Sequence, residues 1–254
     1  MRLKKGLFFI LVFISLGITC YIIPFLFVKY HKLDFTYTVL FSIAKKETNL
    51  TKSEEGKIIL LYTYIRNNIK KPTKIETSNI SVLGTSGKHL MTGQGYCDEQ
   101  CNTFLSLANT LNFQGRLIFL YANDSISNHS VCEILINKQY CMFDPFYGLT
   151  IRDQRGELMD VKAITENVNF IKKTPKNSGI SIEAYKAFYN KKYAYKIAKH
   201  NQIIRLPKEK RIHTIYSLWY NVFGESFRKR LFSYYYKINK IHYKEQQRIN
   251  KLFQ

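Results

Sequence analysis

The chain has 254 residues, a formal net charge of +21 and 46% apolar residues. This length and apolar content are enough to build a packed core, which excludes a wholly disordered chain. The positive charge favours anionic partners such as lipid head groups or acidic polymers. Because no nucleic-acid-binding motif accompanies the charge, nucleic acid is not an expected partner.

An apolar run near the N-terminus predicts a membrane anchor. Gly6 to Val28 contains 23 residues without a charge, and a helix of ~20 apolar residues spans the bilayer core. The apolar part of a signal peptide is only ~7–15 residues long and precedes a small-residue cleavage site, so an uncleaved anchor is favoured. Basic residues at positions 2, 4 and 5 favour a cytoplasmic N-terminus. The predicted location is therefore a single-pass membrane protein whose remaining chain is extracytoplasmic, where disulfides are permitted.

The segment after the anchor combines a connector, a helix and a loop. Residues 30–56 form the connector, and its end resembles a helix start, with Thr51 or Ser53 as cap and Glu54 and Glu55 in the first turn. Apolar residues at helical spacing then predict an amphipathic helix from Lys57 to Ile69. A proline ends this helix. The stretch rich in Thr, Ser and Gly from Thr73 to Gly95 predicts a loop.

The middle of the chain predicts a helix followed by three strands. Apolar residues at helical spacing, behind two acidic residues in the first turn, predict a helix from Cys97 to Asn112. The apolar segment Arg116 to Tyr121 predicts a buried strand. Alternating residues from His129 to Ile136, a turn over Asn137 to Gln139, and a return over Tyr140 to Asp144 predict a hairpin. The predicted fold class is therefore α+β.

The C-terminal part of the chain is basic and aromatic. From Ile180 onward it carries 17 Lys and Arg residues against four Glu and no Asp, and it reads as two or three helices. Two interpretations stay open: the helices lie on an anionic lipid surface, or their aromatic rings pack on the core while the charges face water. The predicted organisation is an anchor over residues 1–29, a connector over 30–56, a catalytic core over 57–175 and a basic extension over 176–254.

Three residues in the middle of the chain have the chemistry of a thiol enzyme. Cys97 opens a helix, where the pKa of a thiol falls, and the pattern continues with His129 and Asp144. A thiol nucleophile needs a general base, and the base needs an orienting group. If the turn closes a hairpin, His129 and Asp144 lie on adjacent strands near one open end, and a helix packed across the face of His129 delivers Cys97. Taken singly, each residue has an ordinary structural explanation; the combination favours the catalytic one.

Gln94 is a candidate for stabilising an oxyanion. It lies close to Cys97 in a glycine-containing loop, and its side-chain amide could act together with the backbone N–H of Cys97. A loop glutamine that only hydrogen-bonds the backbone is the more common case.

The segment from Lys57 to Leu149 contains, in chain order, Gly95-Tyr96-Cys97, Arg116, His129 with Glu133, and Asp144-Pro145. With these motifs it resembles the transglutaminase-like superfamily, whose layout is related to that of papain-type thiol enzymes. The resemblance implies a papain/transglutaminase-like core in which a nucleophile helix packs on an antiparallel sheet. It implies Cys97 as nucleophile, His129 as base and Asp144 as orienting group, with no cofactor.

The chain departs from the family pattern at four places, and these departures leave the substrate open. Asn112 stands where a glycine is expected, Val131 replaces an aromatic residue, and Cys101 replaces a small residue. The tryptophan expected before the aspartate is represented by Tyr140 or Phe143. None of these changes removes a member of the Cys-His-Asp set.

The resemblance and the anchor together predict a membrane-anchored thiol enzyme. It would act on an amide carbonyl by hydrolysis, deamidation or transamidation through a thioester. The expected partners are membrane lipid and a protein, peptide or envelope polymer substrate. The alternative is a catalytically inactive binding or assembly module at the cell envelope.

The cysteines leave two further alternatives. Cys97, Cys101, His129, Cys132 and Cys141 cluster along the chain, but their spacing is not a familiar zinc pattern, and no metal site is expected. Cys132 and Cys141 would share the outer face of the hairpin, where they form either a disulfide or two free, half-buried thiols.

Overall fold

The computed structural model describes residues 6, 10–19, 22–23, 40, 43–72, 85–121, 127–172, 180–189 and 195–197. Within them the chain is a mixture of helices and an antiparallel sheet, so the predicted α+β class is confirmed. Residues 10–19 are helical. No helix within the described ranges is long and apolar enough to cross a bilayer. Much of the predicted anchor and connector, and nearly all of the basic extension, lie outside the described residues.

The first long helix, α1, runs from Glu54 to Asn68. It begins at Ser53, whose hydroxyl accepts a hydrogen bond of 3.0 Å from the backbone N–H of Gly56. This side chain satisfies one of the free donors at the helix start. The predicted cap, first turn and helix are confirmed, and the helix ends one residue before the predicted Ile69. One face of α1, which includes Leu61 and Ile65, is buried in the larger of two hydrophobic clusters, which we call the main core.

A second helix, α2, spans Thr85–Thr92, where the sequence predicts loop. The prediction is wrong here because tertiary contacts outweigh weak local propensity. Threonine, serine and glycine are poor helix formers, but Leu90 is buried in the core. The hydroxyls of Ser86 and Ser106 also lie 2.7 Å apart, which joins α2 to the next helix. Residues 73–84 of the predicted loop lie outside the described residues.

Helix α3 runs from Cys97 to Thr110, and an antiparallel sheet follows it. The strand order is β3-β2-β1-β4. A two-residue turn with φ of 48° at Asn137 and 69° at Lys138 joins β2 to β3, a geometry that matches the twist of a hairpin. The strands are β1 (Gly115–Tyr121), β2 (Ser127–Ile136), β3 (Gln139–Phe143) and β4 (Lys196–Ile197).

The two faces of the hairpin contact different cores. Cys132 lies opposite Phe143 in the β2–β3 ladder, and both side chains pack with α1 and α3 in the main cluster. Val131 and Met142 point the other way, into a second cluster. Helix α3 therefore covers the face of Cys132, and the prediction that it packs across the face of His129 is wrong. The reason is that the apolar side chains of α3 are buried in the cluster on the Cys132 face of the strand.

The same register places the hairpin cysteines inside the protein. Cys132 is fully buried and Cys141 is 5% exposed, both in the main core, so the expected outer face is in fact an inner one. Both thiols are free. Cys141 lies opposite Ile134 rather than opposite Cys132. The two cysteines are thus diagonal neighbours, which explains why the disulfide alternative is not realised.

The second cluster includes residues that the sequence assigned to the basic extension. Short helices α4 (Val161–Glu166) and α5 (Ile182–Lys186) contribute to it. Tyr185 and Tyr189, the latter in a 3₁₀ turn that follows α5, are completely or almost completely buried there. Strand β4 also pairs with β1. Residues 180–189 and 195–197 therefore pack on the core, although the prediction assigned them to the extension that begins at residue 176.

A buried ion pair connects the sheet to α4. The guanidinium of Arg116 on β1 contacts the carboxylate of Glu133 on β2 at 2.6 Å. The other carboxylate oxygen of Glu133 accepts a hydrogen bond of 2.7 Å from the backbone N–H of Val161. Arg116 also stacks over the ring of Tyr140 at 3.9 Å. Since a buried carboxylate needs such partners, these family-like residues have a structural role.

Asn112 explains one departure from the family pattern. It follows α3 with φ of 69°, a left-handed conformation in which glycine is the least strained residue. The turn is closed by a hydrogen bond of 3.1 Å from the N–H of Phe113 to the carbonyl of Ala108. Asparagine is the next most tolerant residue for this conformation. The expected glycine and the observed asparagine thus meet the same backbone requirement.

We expect Asn112→Ala to lower the free energy of unfolding by about 1 kcal/mol, because alanine is strained in the left-handed region. Asn112→Gly should leave that free energy within about 0.5 kcal/mol of the starting value. Urea denaturation of the three proteins measures the difference. Equal effects of the two substitutions would contradict the backbone explanation.

Candidate active site

Cys97 is the first residue of α3, and a short backbone ladder fixes the loop before it. Lys70 donates from its N–H to the carbonyl of Gly93 at 2.8 Å and accepts from the N–H of Gly95 at 3.0 Å. The N–H of Tyr96 donates to the carboxylate of Glu99 at 2.8 Å. The Cys97 side chain itself is half-buried. The thiol is thus held at a helix start, where the dipole favours an anion, and solvent still reaches it.

His129 lies near the start of β2 and contacts both other predicted residues. Its Nε2 donates to Oδ2 of Asp144 at 2.7 Å, and the imidazole also interacts with the Cys97 side chain, which raises its pKa. Since Nε2 is occupied by the carboxylate, Nδ1 is the ring nitrogen left for the thiol. The His129 side chain is 2% exposed. The structure therefore brings Cys97, His129 and Asp144 into one connected group.

Cys101 holds the start of α3 close to His129, although α3 packs on the opposite face of the sheet. It lies one turn after Cys97, and its Sγ donates to the carbonyl of Ser130 at 3.6 Å. Ser130 is the neighbour of His129 on β2. The contact holds the first turns of α3 against the start of the strand, so that Cys97 lies beside the imidazole although the rest of the helix packs on the other face.

Asp144 follows β3 in a tight turn and is fully buried. Its N–H donates to the carbonyl of Leu149 at 2.9 Å, and its own carbonyl accepts from the N–H of Leu149 at 3.0 Å. Oδ1 accepts from the N–H of Tyr147 at 3.0 Å. The hydroxyl of Tyr62 on α1 reaches the Asp144 carbonyl at 3.3 Å. The carboxylate is therefore held by its own turn, and the backbone of Asp144 is held by that turn and by the distant helix α1.

Two tyrosines complete the group, and the sequence analysis missed both. The hydroxyl of Tyr185 donates to Oδ2 of Asp144 at 2.7 Å. The hydroxyl of Tyr189 lies 3.1 Å from that of Tyr185. The available signal was a capped segment with aromatics at helical spacing after Ser181. It lay within the basic, aromatic stretch that was assigned as a whole to an extension.

Four aromatic rings surround the imidazole of His129. Their centroids lie between 4.7 and 6.2 Å from that of the imidazole. Ring faces attract a cation and exclude water, so this environment stabilises a protonated imidazole better than an aliphatic one would. The rings belong to Phe146, Tyr147, Tyr185 and Phe188.

The charges around His129 favour its protonated form. Burial by itself lowers the pKa of the imidazole, but the Asp144 carboxylate and the Cys97 sulfur outweigh it and raise the pKa to about 9. At neutral pH the ring is therefore an imidazolium. Burial also raises the pKa of Tyr185 well above its usual range, so its hydroxyl remains a hydrogen-bond donor.

Gln94 is anchored by its backbone, next to the loop that leads to Cys97. It forms a bridge with Lys70, and its carbonyl accepts a hydrogen bond of 3.0 Å from Nδ1 of the buried His89. The side chain is half-buried, and among the described residues no hydrogen bond to its amide is found. The predicted oxyanion role remains a prediction.

The cysteine-rich region does not assemble a metal site within the described residues. No group of three or more His, Cys, Asp or Glu side chains is arranged there to hold a metal ion. Cys132 faces the main core and donates to the carbonyl of Phe143 at 3.4 Å. Burial raises the pKa of the Cys101 thiol well above its ordinary value, and burial also raises that of Cys141, to about 11.

Comparison with solved structures finds one similar chain. It is a protein of Cytophaga hutchinsonii, provisionally assigned as a cysteine protease, with a TM-score of 0.35 and 21% sequence identity. The similarity covers 54% of this chain and 45% of that protein, so the chain spans less than half of that protein's length. No protein-family model and no curated protein matches the chain.

We expect the imidazole of His129 to titrate near pH 9, and Asp144→Asn to lower its pKa because burial then acts without a facing carboxylate. Nuclear magnetic resonance of isotope-labelled histidine measures both values, and His129→Gln identifies the signal. An ordinary pKa near 6.5 in the unsubstituted chain would contradict this electrostatic account.

The raised pKa of His129 also makes the free energy of unfolding depend on pH. Because the folded pKa lies above the unfolded one, the bound proton stabilises the fold fully below about pH 6.5, and this contribution is lost as the pH rises through about 9. Urea denaturation at pH 6 and pH 10 should show the loss. The loss should be smaller in His129→Gln.

Proposed function

We propose that the chain is a membrane-anchored thiol enzyme with a papain/transglutaminase-like core that acts on an amide carbonyl. The observation that carries the proposal is the connected group in which the Cys97 thiol contacts His129 and His129 contacts Asp144. Cys97 would be the nucleophile, His129 the general base and acid, and Asp144 the orienting group.

The exposure of the three side chains suits these roles. Cys97 is half-buried at a helix start, so a substrate can reach its sulfur. His129 and Asp144 are almost or completely buried, where charge interactions are stronger than in water. The raised pKa of His129 favours a thiolate–imidazolium pair at neutral pH. Such a pair attacks without a separate deprotonation step.

The reaction proceeds in two halves. The Cys97 sulfur attacks the amide carbonyl, and the tetrahedral intermediate collapses as the imidazolium of His129 protonates the leaving amine. The product is a thioester on Cys97 and a neutral imidazole. That imidazole then takes a proton from the acceptor, whose attack releases the acyl group and restores the thiolate–imidazolium pair. Water as acceptor gives hydrolysis or deamidation, and an amine gives transamidation.

Two groups are suited to stabilise the oxyanion of the tetrahedral intermediate. The backbone N–H of Cys97 lies in the first turn of α3, where amide groups have no partner within the helix. Gln94 has a fixed backbone and a half-buried side chain, and its amide could supply a second donor. Hydrolysis is the simplest outcome, since water is always available. The proposed substrates are proteins, peptides or envelope polymers.

We expect Cys97 in the purified chain to be alkylated rapidly well below pH 8.5, the unperturbed value for a thiol. His129→Ala should abolish this fast labelling, because the imidazolium no longer stabilises the thiolate. Mass spectrometry that resolves each cysteine measures both rates. Cys101 provides an internal control, since it is fully buried and its thiol has a raised pKa.

Slow labelling of Cys97 that does not depend on His129 would overturn the enzyme proposal. The alternative of an inactive binding or assembly module at the envelope would then be favoured. That alternative would be tested by a search for binding partners rather than for substrates.

Membrane anchoring through residues 6–28 is part of the proposal, with the core on the extracytoplasmic side. The described residues 10–19 are helical, and apolar side chains such as Phe13 and Leu16 are exposed there. We expect a reporter enzyme that is active only outside the cytoplasm to be active when fused after Val28. Activity of a cytoplasmic reporter at the same position would contradict the proposed orientation.

A further inference from the structure

Tyr185 contacts the same oxygen atom as the proposed base. Its hydroxyl donates to Oδ2 of Asp144 at 2.7 Å, and Nε2 of His129 donates to this atom at 2.7 Å. The Tyr185 side chain is fully buried. It comes from α5, 41 residues after Asp144, beyond the segment that carries the family-like motifs. Two donors thus converge on one carboxylate oxygen that water does not reach.

We propose that Tyr185 is a positioning residue of this site, which acts through Asp144 by sharing Oδ2 with His129 and so limits how tightly the carboxylate holds the imidazole proton. The proposal rests on the proposed thiol chemistry of Cys97. In that chemistry His129 must give its proton to a leaving group and then accept another. A carboxylate that held the imidazolium too strongly would oppose the first of these steps.

The physical argument starts from a buried anion. A carboxylate with no contact to water needs donors for its lone pairs, and every donor takes part of its charge. Asp144 has two donors on Oδ2 and the N–H of Tyr147 on Oδ1. If the Tyr185 hydroxyl is removed, the charge that it shared remains on Oδ2. The imidazolium then becomes the principal partner of that atom and is held more tightly.

Tyr189 offers a matched control in the same segment. It is 1% exposed, and its hydroxyl lies 3.1 Å from that of Tyr185 and 3.9 Å from the sulfur of Met142. Because the Tyr185 proton is used on Asp144, Tyr189 can reach the carboxylate only through Tyr185. Both residues change to phenylalanine with the loss of one buried hydroxyl, but only one of these hydroxyls touches Asp144.

The titratable groups that face Asp144 and His129 come from several elements. The Asp144 carboxylate influences groups on α1, on α3, on the turn after β3 and on α5 with its following turn. They are Tyr62, Cys101, His129, Tyr147, Tyr185 and Tyr189. Cys97 faces His129 directly.

The test is the titration of His129 in the full-length chain, followed by magnetic resonance of isotope-labelled histidine. We expect Tyr185→Phe to raise the pKa of His129 by roughly half a unit to one unit, a fraction of the strength of a hydrogen bond to a charged group. Tyr189→Phe should produce a much smaller shift. In an Asp144→Asn background, Tyr185→Phe should have no further effect, because its influence passes through the carboxylate.

A second substitution, which hardly changes the size of the side chain, should shift the pKa of His129 in the opposite direction. Replacement of Tyr185 by 3-fluorotyrosine makes its hydroxyl a stronger donor, so the pKa of His129 should fall. This measurement does not depend on whether Tyr185→Phe folds, since the hydroxyl and the ring both remain. Circular dichroism of each protein checks the fold.

Three results would overturn the proposal. The pKa of His129 could stay unchanged in Tyr185→Phe, it could fall as the site loosens, or it could rise equally in Tyr189→Phe. Failure of the enzyme proposal looks different, because it is read from Cys97 labelling that ignores His129 in the unsubstituted chain. The two readouts are independent, so each proposal can fail without the other.

Discussion

The rest of the site depends on the burial of a single carboxylate. Asp144 is completely removed from water, and an isolated charge in that position would be too costly to keep. The chain meets this requirement with donors from separate parts of the sequence: an imidazole from β2, a backbone N–H from the following turn and a hydroxyl from α5. Elements that are far apart along the chain are therefore held in one arrangement by the needs of one side chain.

The two faces of the sheet pack against different helices. Helices α1 and α3 pack on the face of Cys132 and Phe143, whereas α4 and α5 pack on the face of Val131 and Met142. The site forms where these layers meet, at the start of β2 and the end of β3. Cys97 arrives from one layer and Tyr185 from the other. Loosening either layer would therefore change the surroundings of His129.

Much of this arrangement could be predicted from local patterns. The helix at Cys97, the hairpin and its turn follow from residue periodicity, and the register then puts His129 and Asp144 close together. Helix α2 could not be predicted, because its sequence is a poor helix former and tertiary contacts stabilise it. Tyr185 was missed for another reason. Its role is defined by a long-range contact with Asp144, which periodicity does not report.

The enclosure of the imidazole also restricts the order of events in the proposed reaction. His129 is covered by aromatic rings and by Asp144, and its imidazole interacts with Cys97. Since Cys97 is half-buried whereas His129 is 2% exposed, we expect the leaving amine to depart, and the acceptor to enter, on the side of Cys97. An acceptor can therefore meet the neutral imidazole only after the first product has left. Water and an amine would compete for the same thioester, so the groups around Cys97, rather than the base, would decide between hydrolysis and transamidation.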